Sequence, residues 1–70
     1  MLAQNIKKYR KKLKLTQEAL AWKADISYHT IAKLEAREIT DPRMETLKKL
    51  ANALNVSIDT LVGTSQKNSK

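Results

Sequence analysis

The chain has 70 residues, a length that allows one small domain with a modest core. It has no cysteine, which excludes disulfides and thiolate metal sites and suits a reducing cytoplasm. Fourteen Lys and Arg against seven Asp and Glu give a net charge of +7, which favours a polyanionic partner, most simply nucleic acid. The alternative is that these charges only solvate the surface. The sequence shows neither the apolar segment of a signal peptide nor a run long enough to span a membrane.

The first predicted helix covers residues 2–13 and has one apolar face. Within an arc of about 60° on a helical wheel, this face holds Leu2, Ile6, Tyr9 and Leu13. Six basic residues lie in the same region, namely Lys7, Lys8, Arg10, Lys11, Lys12 and Lys14. Arg10 differs from the lysines because it borders the apolar face. The lysines are expected to form a solvated side that attracts a polyanion at long range, with only some of them touching phosphate.

Four residues with good N-cap side chains divide the rest of the chain: Thr16, Ser27, Asp41 and Ser57. Oxygen atoms of such side chains accept unpaired amide protons in the first turn of a helix. Apolar residues around three of the caps have the spacing of hydrophobic staples, pairing Leu15 with Leu20, Ile26 with Ile31 and Val56 with Leu61. Pro42 suits the first position of a helix, and both Asn55 and Gly63 suit a left-handed helix end. These signals predict helices at residues 17–24, 28–36, 42–54 and 58–62.

The composition favours helices throughout, because the chain has one glycine and one proline and most sheets and turns need more of both. We therefore expect an all-α fold of five helices around one core. Helix 2 offers Leu20, Ala21 and Ala24 to this core, and helix 4 offers Met44, Leu47, Leu50, Ala51 and Leu54. Residues 64–70, TSQKNSK, carry no apolar side chain and are expected to form a disordered tail.

The segment SYHTIAKLE, residues 27–35, has two faces when drawn as a helix. Ile31 and Leu34 point toward the core, and the opposite arc of about 140° holds Tyr28, His29, Ala32 and Lys33. Such side chains can hydrogen-bond to base edges, touch a thymine methyl group and pair with phosphate or guanine. Only about three residues, 25–27, separate this helix from helix 2, which is the spacing of a helix-turn-helix.

The stretch TQEALAWKADISYHTIAKLE resembles the helix-turn-helix of the lambda-repressor-like (Xre-type) family of bacterial and phage regulators. The matching positions are Gln17, Leu20, Ala21, Ile26, Ser27, Ile31, Leu34 and Glu35. The later stretch DPRMETLKKLANALNVSIDTLVG is similar to the fourth and fifth helices of the family. The resemblance implies a DNA-binding domain at residues 1–63, with the helix-turn-helix at about residues 17–36.

The resemblance also implies roles for single residues. The positions that match base-reading residues of the family are Tyr28, His29 and Lys33. Those expected at the DNA backbone are Thr16, Gln17, Arg43 and Arg10, with Gln17 at a helix N-terminus, where free amides favour a phosphate. Arg10 and Glu35 match a partly buried ion pair between helices 1 and 3, which would fix how helix 3 sits.

Two positions depart from the family pattern, and both lie at the ends of helices. Family members often have glycine where this chain has Asp25 in the turn. Asp tolerates the left-handed backbone region better than most residues, so the turn is expected to form at a modest cost. Many members also have glycine just after helix 3, where this chain has Arg37, so a different exit path from that helix is an open alternative.

Other interpretations stay open for three side chains. His29 can be an ordinary surface histidine and, as the only one in the chain, cannot build a metal site with His or Cys neighbours. Tyr28 can cover the end of the core instead of contacting DNA. Trp22 lies away from the core residues of helix 2, so it either folds back onto helix 1 or a neighbouring loop, or marks a protein contact.

The resulting prediction is a transcriptional regulator that binds double-stranded DNA sequence-specifically as a homodimer. Helix 3 would enter the major groove of a palindromic operator, and repression is the commonest outcome of such binding in the family. The alternative from another class is a protein-interaction module, such as a toxin-neutralising partner or an adaptor with the same fold. No enzymatic function, metal or cofactor is expected, because the sequence has no nucleophile–base set, no metal-ligand cluster and no glycine-rich phosphate loop.

Overall fold

A computed structural model describes residues 1–63, which form five α-helices and no strand. The helices are α1 (Leu2–Lys12), α2 (Gln17–Ala24), α3 (Tyr28–Glu35), α4 (Met44–Leu54) and α5 (Ile58–Val62). The predicted all-α fold of five helices is confirmed. The predicted disordered tail at residues 64–70 lies outside the described residues. Within residues 1–63, every helix is too short or too polar to cross a membrane.

Each of the five helices contributes a large side chain to one core. The large side chains that are less than 2% exposed are Ile6 of α1, Leu20 of α2, Ile31 and Leu34 of α3, Leu50 of α4 and Leu61 of α5. Burying a side chain of this size contributes roughly 1.5–3 kcal/mol. The predicted core residues Ala21 and Ala24 are also buried, and their small size lets α2 lie close to its neighbours. α3 is thus held from one side by two buried anchors.

Three helices begin at a hydroxyl N-cap, as the sequence predicts. In each case the hydroxyl oxygen accepts a hydrogen bond from the backbone amide three residues later, at 3.0–3.1 Å, and the caps are Thr16, Ser27 and Ser57. The apolar residue before each cap packs against the core, and these residues are Leu15, Ile26 and Val56. A hydroxyl cap is worth about 0.5–2 kcal/mol, so α2, α3 and α5 start at positions that the local sequence determines.

Four helices are followed by a residue other than glycine in the left-handed conformation: Lys14, Asp25, Arg37 and Asn55, with φ of 60–65°. The amide of the residue after each of them donates to the carbonyl oxygen five residues earlier, at 2.8–3.0 Å. This is the Schellman arrangement, which satisfies carbonyl groups at a helix end. Asp25 and Asn55 adopt it as predicted. The exit from α3 keeps the same geometry although Arg37 stands where glycine is common in the family.

The end of α1 differs from the prediction. The helix ends at Lys12, and Leu13, which the helical wheel places on the core face, is exposed. The left-handed turn at Lys14 follows directly, and Leu15 packs against the core in place of Leu13. The prediction for Leu13 was wrong because the wheel extends an ideal helix through a residue where the chain already turns.

The start of α4 also differs from the prediction. The helix begins at Met44 instead of Pro42, and its N-cap is Arg43, without a side-chain hydrogen bond, in place of Asp41. Met44, predicted to lie in the core, is exposed. Helices in proteins are stabilised mainly by packing of an apolar face, and the residues around this start have little of it, since Asp41, Arg43 and Met44 are all exposed.

Candidate nucleic-acid interface

The turn between α2 and α3 spans residues 25–27 and fixes where α3 begins. Asp25 takes the left-handed conformation, Ile26 packs against the core, and Ser27 caps α3. From α4, Lys49 Nζ lies 3.5 Å from the Asp25 carbonyl oxygen and 3.8 Å from the Asp25 carboxylate. The start of α3 is therefore set by the backbone, by a core contact and by a polar contact from another helix.

The side of α3 that faces away from the core presents three exposed side chains, Tyr28, His29 and Lys33. Ala32 lies on the same side, is half-buried and adds little bulk. The rings of Tyr28 and His29 lie side by side, with centroids 6.0 Å apart and planes tilted by 54°. Tyr28 is 45% exposed and does not belong to the side chains packed on the core. This face therefore carries hydroxyl, imidazole and ammonium groups, all of which can donate hydrogen bonds to base edges.

Behind this face, the ion pair that the family resemblance implies joins α1 to α3. Arg10 Nε donates to Glu35 Oε2 at 2.7 Å, and Arg10 Nη2 donates to Glu35 Oε1 at 3.0 Å. Arg10 Nη1 donates to the Leu15 carbonyl oxygen at 2.8 Å. Gln17 Nε2 donates to Glu35 Oε1 as well, at 3.0 Å. One carboxylate thus ties together α1, the first residue of α2 and the last residue of α3.

The surroundings of Glu35 keep its carboxylate ionised. The side chain is only 3% exposed, and burial by itself would raise the pKa of the carboxyl group. Hydrogen bonds from Arg10 and Gln17, together with the charges of Arg10 and Lys7, outweigh burial, so the pKa of Glu35 lies below its ordinary value. The group therefore remains charged at neutral pH and holds its partners in place.

This network bears on the prediction that Arg10 contacts the DNA backbone. All three guanidinium nitrogens of Arg10 donate hydrogen bonds within the protein. The side chain is 11% exposed, which leaves little of it available to an outside partner. Arg10 thus positions α3 and Leu15, and its contact with the DNA backbone stays a prediction.

A shallow groove beside the start of α2 brings together residues that lie apart in the sequence. Gln17 and Ala32 line it from α2 and α3, and Lys7 and Lys11 line it from α1. From the sequence alone, all lysines of α1 were treated alike, and Lys7 and Lys11 were not distinguished from the others. The feature that could have distinguished them is their spacing of four residues, which places them one turn apart on the same side of the helix. Lys8 differs, since its Nζ lies 5.3 Å from the centre of the Tyr9 ring.

The other predicted backbone contacts lie at the starts of helices. Thr16 is exposed and caps α2 through its hydroxyl group. Arg43 is exposed immediately before α4 and does not line the groove that contains Gln17. The structure therefore gathers Thr16 and Gln17 at the start of α2 and leaves Arg43 on a separate element. In the described part of the chain, no group of three or more His, Cys, Asp or Glu could hold a metal ion.

A short helix, a three-residue turn and a second helix with an exposed outer face define a helix-turn-helix domain. The family model described as helix-turn-helix matches residues 6–61. The chain belongs to this family, and its Xre-type resemblance is confirmed.

Curated relatives are regulators of bacteria and phages. The immunity repressor protein of Bacillus phage phi105 is 40% identical over 62 residues, which cover 89% of this chain and 42% of the repressor. The HTH-type transcriptional regulators ImmR and SinR of Bacillus subtilis (strain 168) are 39% and 34% identical over 62 residues. These matches cover 89% of this chain, 48% of ImmR and 56% of SinR. The chain thus spans about half the length of the curated relatives it matches.

Two solved structures of SinR have the same fold. SinR, the master regulator for biofilm formation, in complex with DNA matches with a TM-score of 0.86 at 34% identity, over 89% of this chain and 98% of that chain. The complex of SinR with the SinI protein matches with a TM-score of 0.87 at 31% identity, over 96% of this chain and 65% of that chain.

Proposed function

We propose that this chain is a transcriptional regulator, most simply a repressor, that binds double-stranded DNA sequence-specifically. The outward face of α3 carries this proposal, since Tyr28, His29 and Lys33 are exposed together on one side of a helix that the core holds from the other. The major groove of B-DNA is about 12 Å wide and admits an α-helix. Support comes from SinR, a relative with the same fold that has been solved in complex with DNA.

Base reading is assigned to the three exposed side chains of α3. Lys33 would donate to the O6 and N7 acceptors of guanine. His29 and Tyr28 would donate to acceptors on the edges of the bases that lie near the start of α3. Ala32 would let the helix approach closely and would touch a thymine methyl group. The Arg10–Glu35 ion pair would act indirectly, by holding α3 at the depth and angle that these contacts need.

Backbone contacts are assigned to the start of α2 and to nearby basic side chains. Gln17 Nε2 has two N–H groups. One donates a hydrogen bond to Glu35, so the other can donate to a phosphate. Thr16 and Arg43 remain proposed contacts, and Lys7 and Lys11 join them because they line the groove beside Gln17. Contacts of this kind set the register of a protein on the duplex without reading its sequence.

The proposed function is tested by selecting tight binders from a random duplex library at about physiological salt, where non-specific binding is weak. We expect an enriched palindrome with half-sites about 10–10.5 bp apart, as two copies with one α3 each would require. Salt-sensitive binding to every duplex without any enrichment would overturn sequence-specific recognition.

The role of Lys33 is tested by Lys33→Ala on variants of the selected site. We expect loss of about 1–3 kcal/mol of discrimination at one base pair in each half-site, because a single bidentate base contact is removed. Lys11→Ala should instead weaken all duplexes alike and lower the salt slope by about 1. Lys48→Ala, which removes an equal charge from an exposed position on α4, is the matched control. Equal effects of Lys33→Ala on specific and random DNA would exclude Lys33 as a base reader.

A further inference from the structure

Trp22 on α2 is the most exposed large apolar side chain and has no part in the proposed DNA contacts. It is 89% exposed, so the alternative in which it folds back onto α1 or a loop does not apply. Trp22 lines an open groove together with Tyr28 and the half-buried Ile26. An exposed tryptophan with other apolar side chains in the same groove is more typical of a protein-binding site than a single exposed residue would be.

The rim of this groove has a charge opposite to that of the chain as a whole. Glu18 and Asp25 both line it, in a chain whose net charge is +7. Glu18 forms no salt bridge with any residue of the described range. The Asp25 carboxylate is exposed, and its nearest cation, Lys49 Nζ, lies 3.8 Å away. Two carboxylates beside an exposed tryptophan disfavour a DNA backbone and favour a cation.

We propose that this groove, lined by Glu18, Trp22, Asp25, Ile26 and Tyr28, docks a protein segment that combines a basic side chain with an apolar one. Tryptophan has the most favourable ring for a cation–π contact. An Arg or Lys of the partner would lie over the Trp22 ring within reach of the carboxylates. A neighbouring apolar side chain would cover Ile26 and complete a desolvated contact, which is where aromatic anchors contribute most to binding.

The docking surface is tested by selecting displayed random peptides against the folded chain. We expect the enriched peptides to combine Arg or Lys with a nearby Leu, Ile or Phe. Trp22 is the only tryptophan in the chain, so its fluorescence should change when the synthetic form of an enriched peptide is titrated. No enrichment, enrichment of acidic peptides, or binding without a change in Trp22 emission would each overturn the proposal.

Three variants locate the binding site, with affinity followed by anisotropy of a labelled peptide. Trp22→Ala should weaken peptide binding by about tenfold or more, as truncation of an aromatic anchor does. Glu18→Gln should weaken it by about threefold, since one complementary charge is removed at the rim. Glu38→Gln should leave it unchanged, because Glu38 is an exposed carboxylate that follows α3 and does not line the groove.

Trp22 could instead contact DNA or a second copy of this chain. Measuring duplex binding and self-association of Trp22→Ala distinguishes these two alternatives from the docking surface. We expect the variant to keep the helical circular-dichroism signal, the DNA affinity and the sedimentation behaviour of the unmodified chain. Weaker DNA binding with unchanged peptide affinity would assign Trp22 to DNA and overturn the docking surface. Loss of a dimer with unchanged peptide affinity would assign the groove to a second copy of this chain, with the same consequence.

Discussion

Glu35 is the side chain that joins α3 to both α1 and α2 by hydrogen bonds. It accepts two hydrogen bonds from Arg10 and one from Gln17, and its side chain is almost fully buried. A buried pair of this kind contributes little to stability when compared with two apolar residues, but removal of one partner leaves an uncompensated charge. We therefore interpret the pair as fixing the orientation of α3, and its loss as costly.

The lowered pKa of Glu35 predicts a pH dependence of stability. The pKa is lower in the folded chain than in the unfolded chain, where it is about 4.3. The stabilisation is thus complete above about pH 5 and is lost as the pH falls through the folded pKa. Urea unfolding followed from pH 7 to pH 3 should show this loss, and Glu35→Gln should remove this part of the pH dependence.

At pH 7, Glu35→Gln should reduce the free energy of unfolding by about 3 kcal/mol, because Arg10 keeps its buried charge beside a neutral partner. Glu38→Gln serves as the control, since Glu38 is an exposed carboxylate three residues later. It should keep both the stability at neutral pH and the acid dependence of the unmodified chain. If Glu35→Gln and the unmodified chain lost stability in parallel on acidification, the ionised pair would not be the cause.

At the scale of the helices, two helix ends could be stabilised by substitution. The residues that follow α1 and α3 in the left-handed conformation are Lys14 and Arg37, and a residue with a Cβ atom adopts this region at a cost of roughly 1–2 kcal/mol. Glycine has no such cost, although its unfolded state is more disordered. Arg37→Gly should therefore be more stable than Arg37→Ala by about 1 kcal/mol, which corresponds to roughly 4–8 °C in melting temperature.

The comparison of the two Arg37 variants cancels the loss of the arginine charge and side chain, which they share. Thermal unfolding at pH 7 measures both on the same scale. Equal melting temperatures would mean that the left-handed conformation at position 37 is not strained.

The helix boundaries show which signals in a sequence act locally. Thr16, Ser27 and Ser57 determine helix starts because each cap needs only its own hydroxyl group and an amide three residues away. Asp41 and Pro42 carry an equally good local signal, yet α4 starts later. The difference is tertiary, since exposed residues before Met44 gain no packing from a further helical turn.

The outward face of α3 could be predicted from the sequence, whereas the groove beside the start of α2 could not. The outward position of Tyr28, His29 and Lys33 follows from two inward anchors within one short helix, which a helical wheel captures. The groove that combines Gln17 with Lys7 and Lys11 depends on how α1 approaches α2 and α3. That approach is set by core packing over the whole chain and has no signature within any single segment.

For the whole molecule, charge and shape would make separate contributions to the proposed DNA binding. The net charge of +7 attracts any duplex, and this attraction weakens steeply as salt is added. Glu35, the buried acidic side chain at the end of α3, is paired with Arg10, so it would not oppose a polyanion at the candidate interface. Under the proposed function, discrimination between sequences would come from the short-range contacts of α3.

The proposed homodimer makes a geometric prediction at this scale. Two copies that each place α3 in a major groove lie on the same face of the DNA when half-site centres are about 10–10.5 bp apart. Gel-shift titrations on duplexes with centres about 10 and about 15 bp apart should therefore show cooperative binding of a second copy only at the shorter spacing. A duplex with a single half-site gives the affinity of one copy for reference. If the second copy bound equally well at both spacings, the chain would read its half-site alone, and the dimeric arrangement would be wrong while sequence recognition remained.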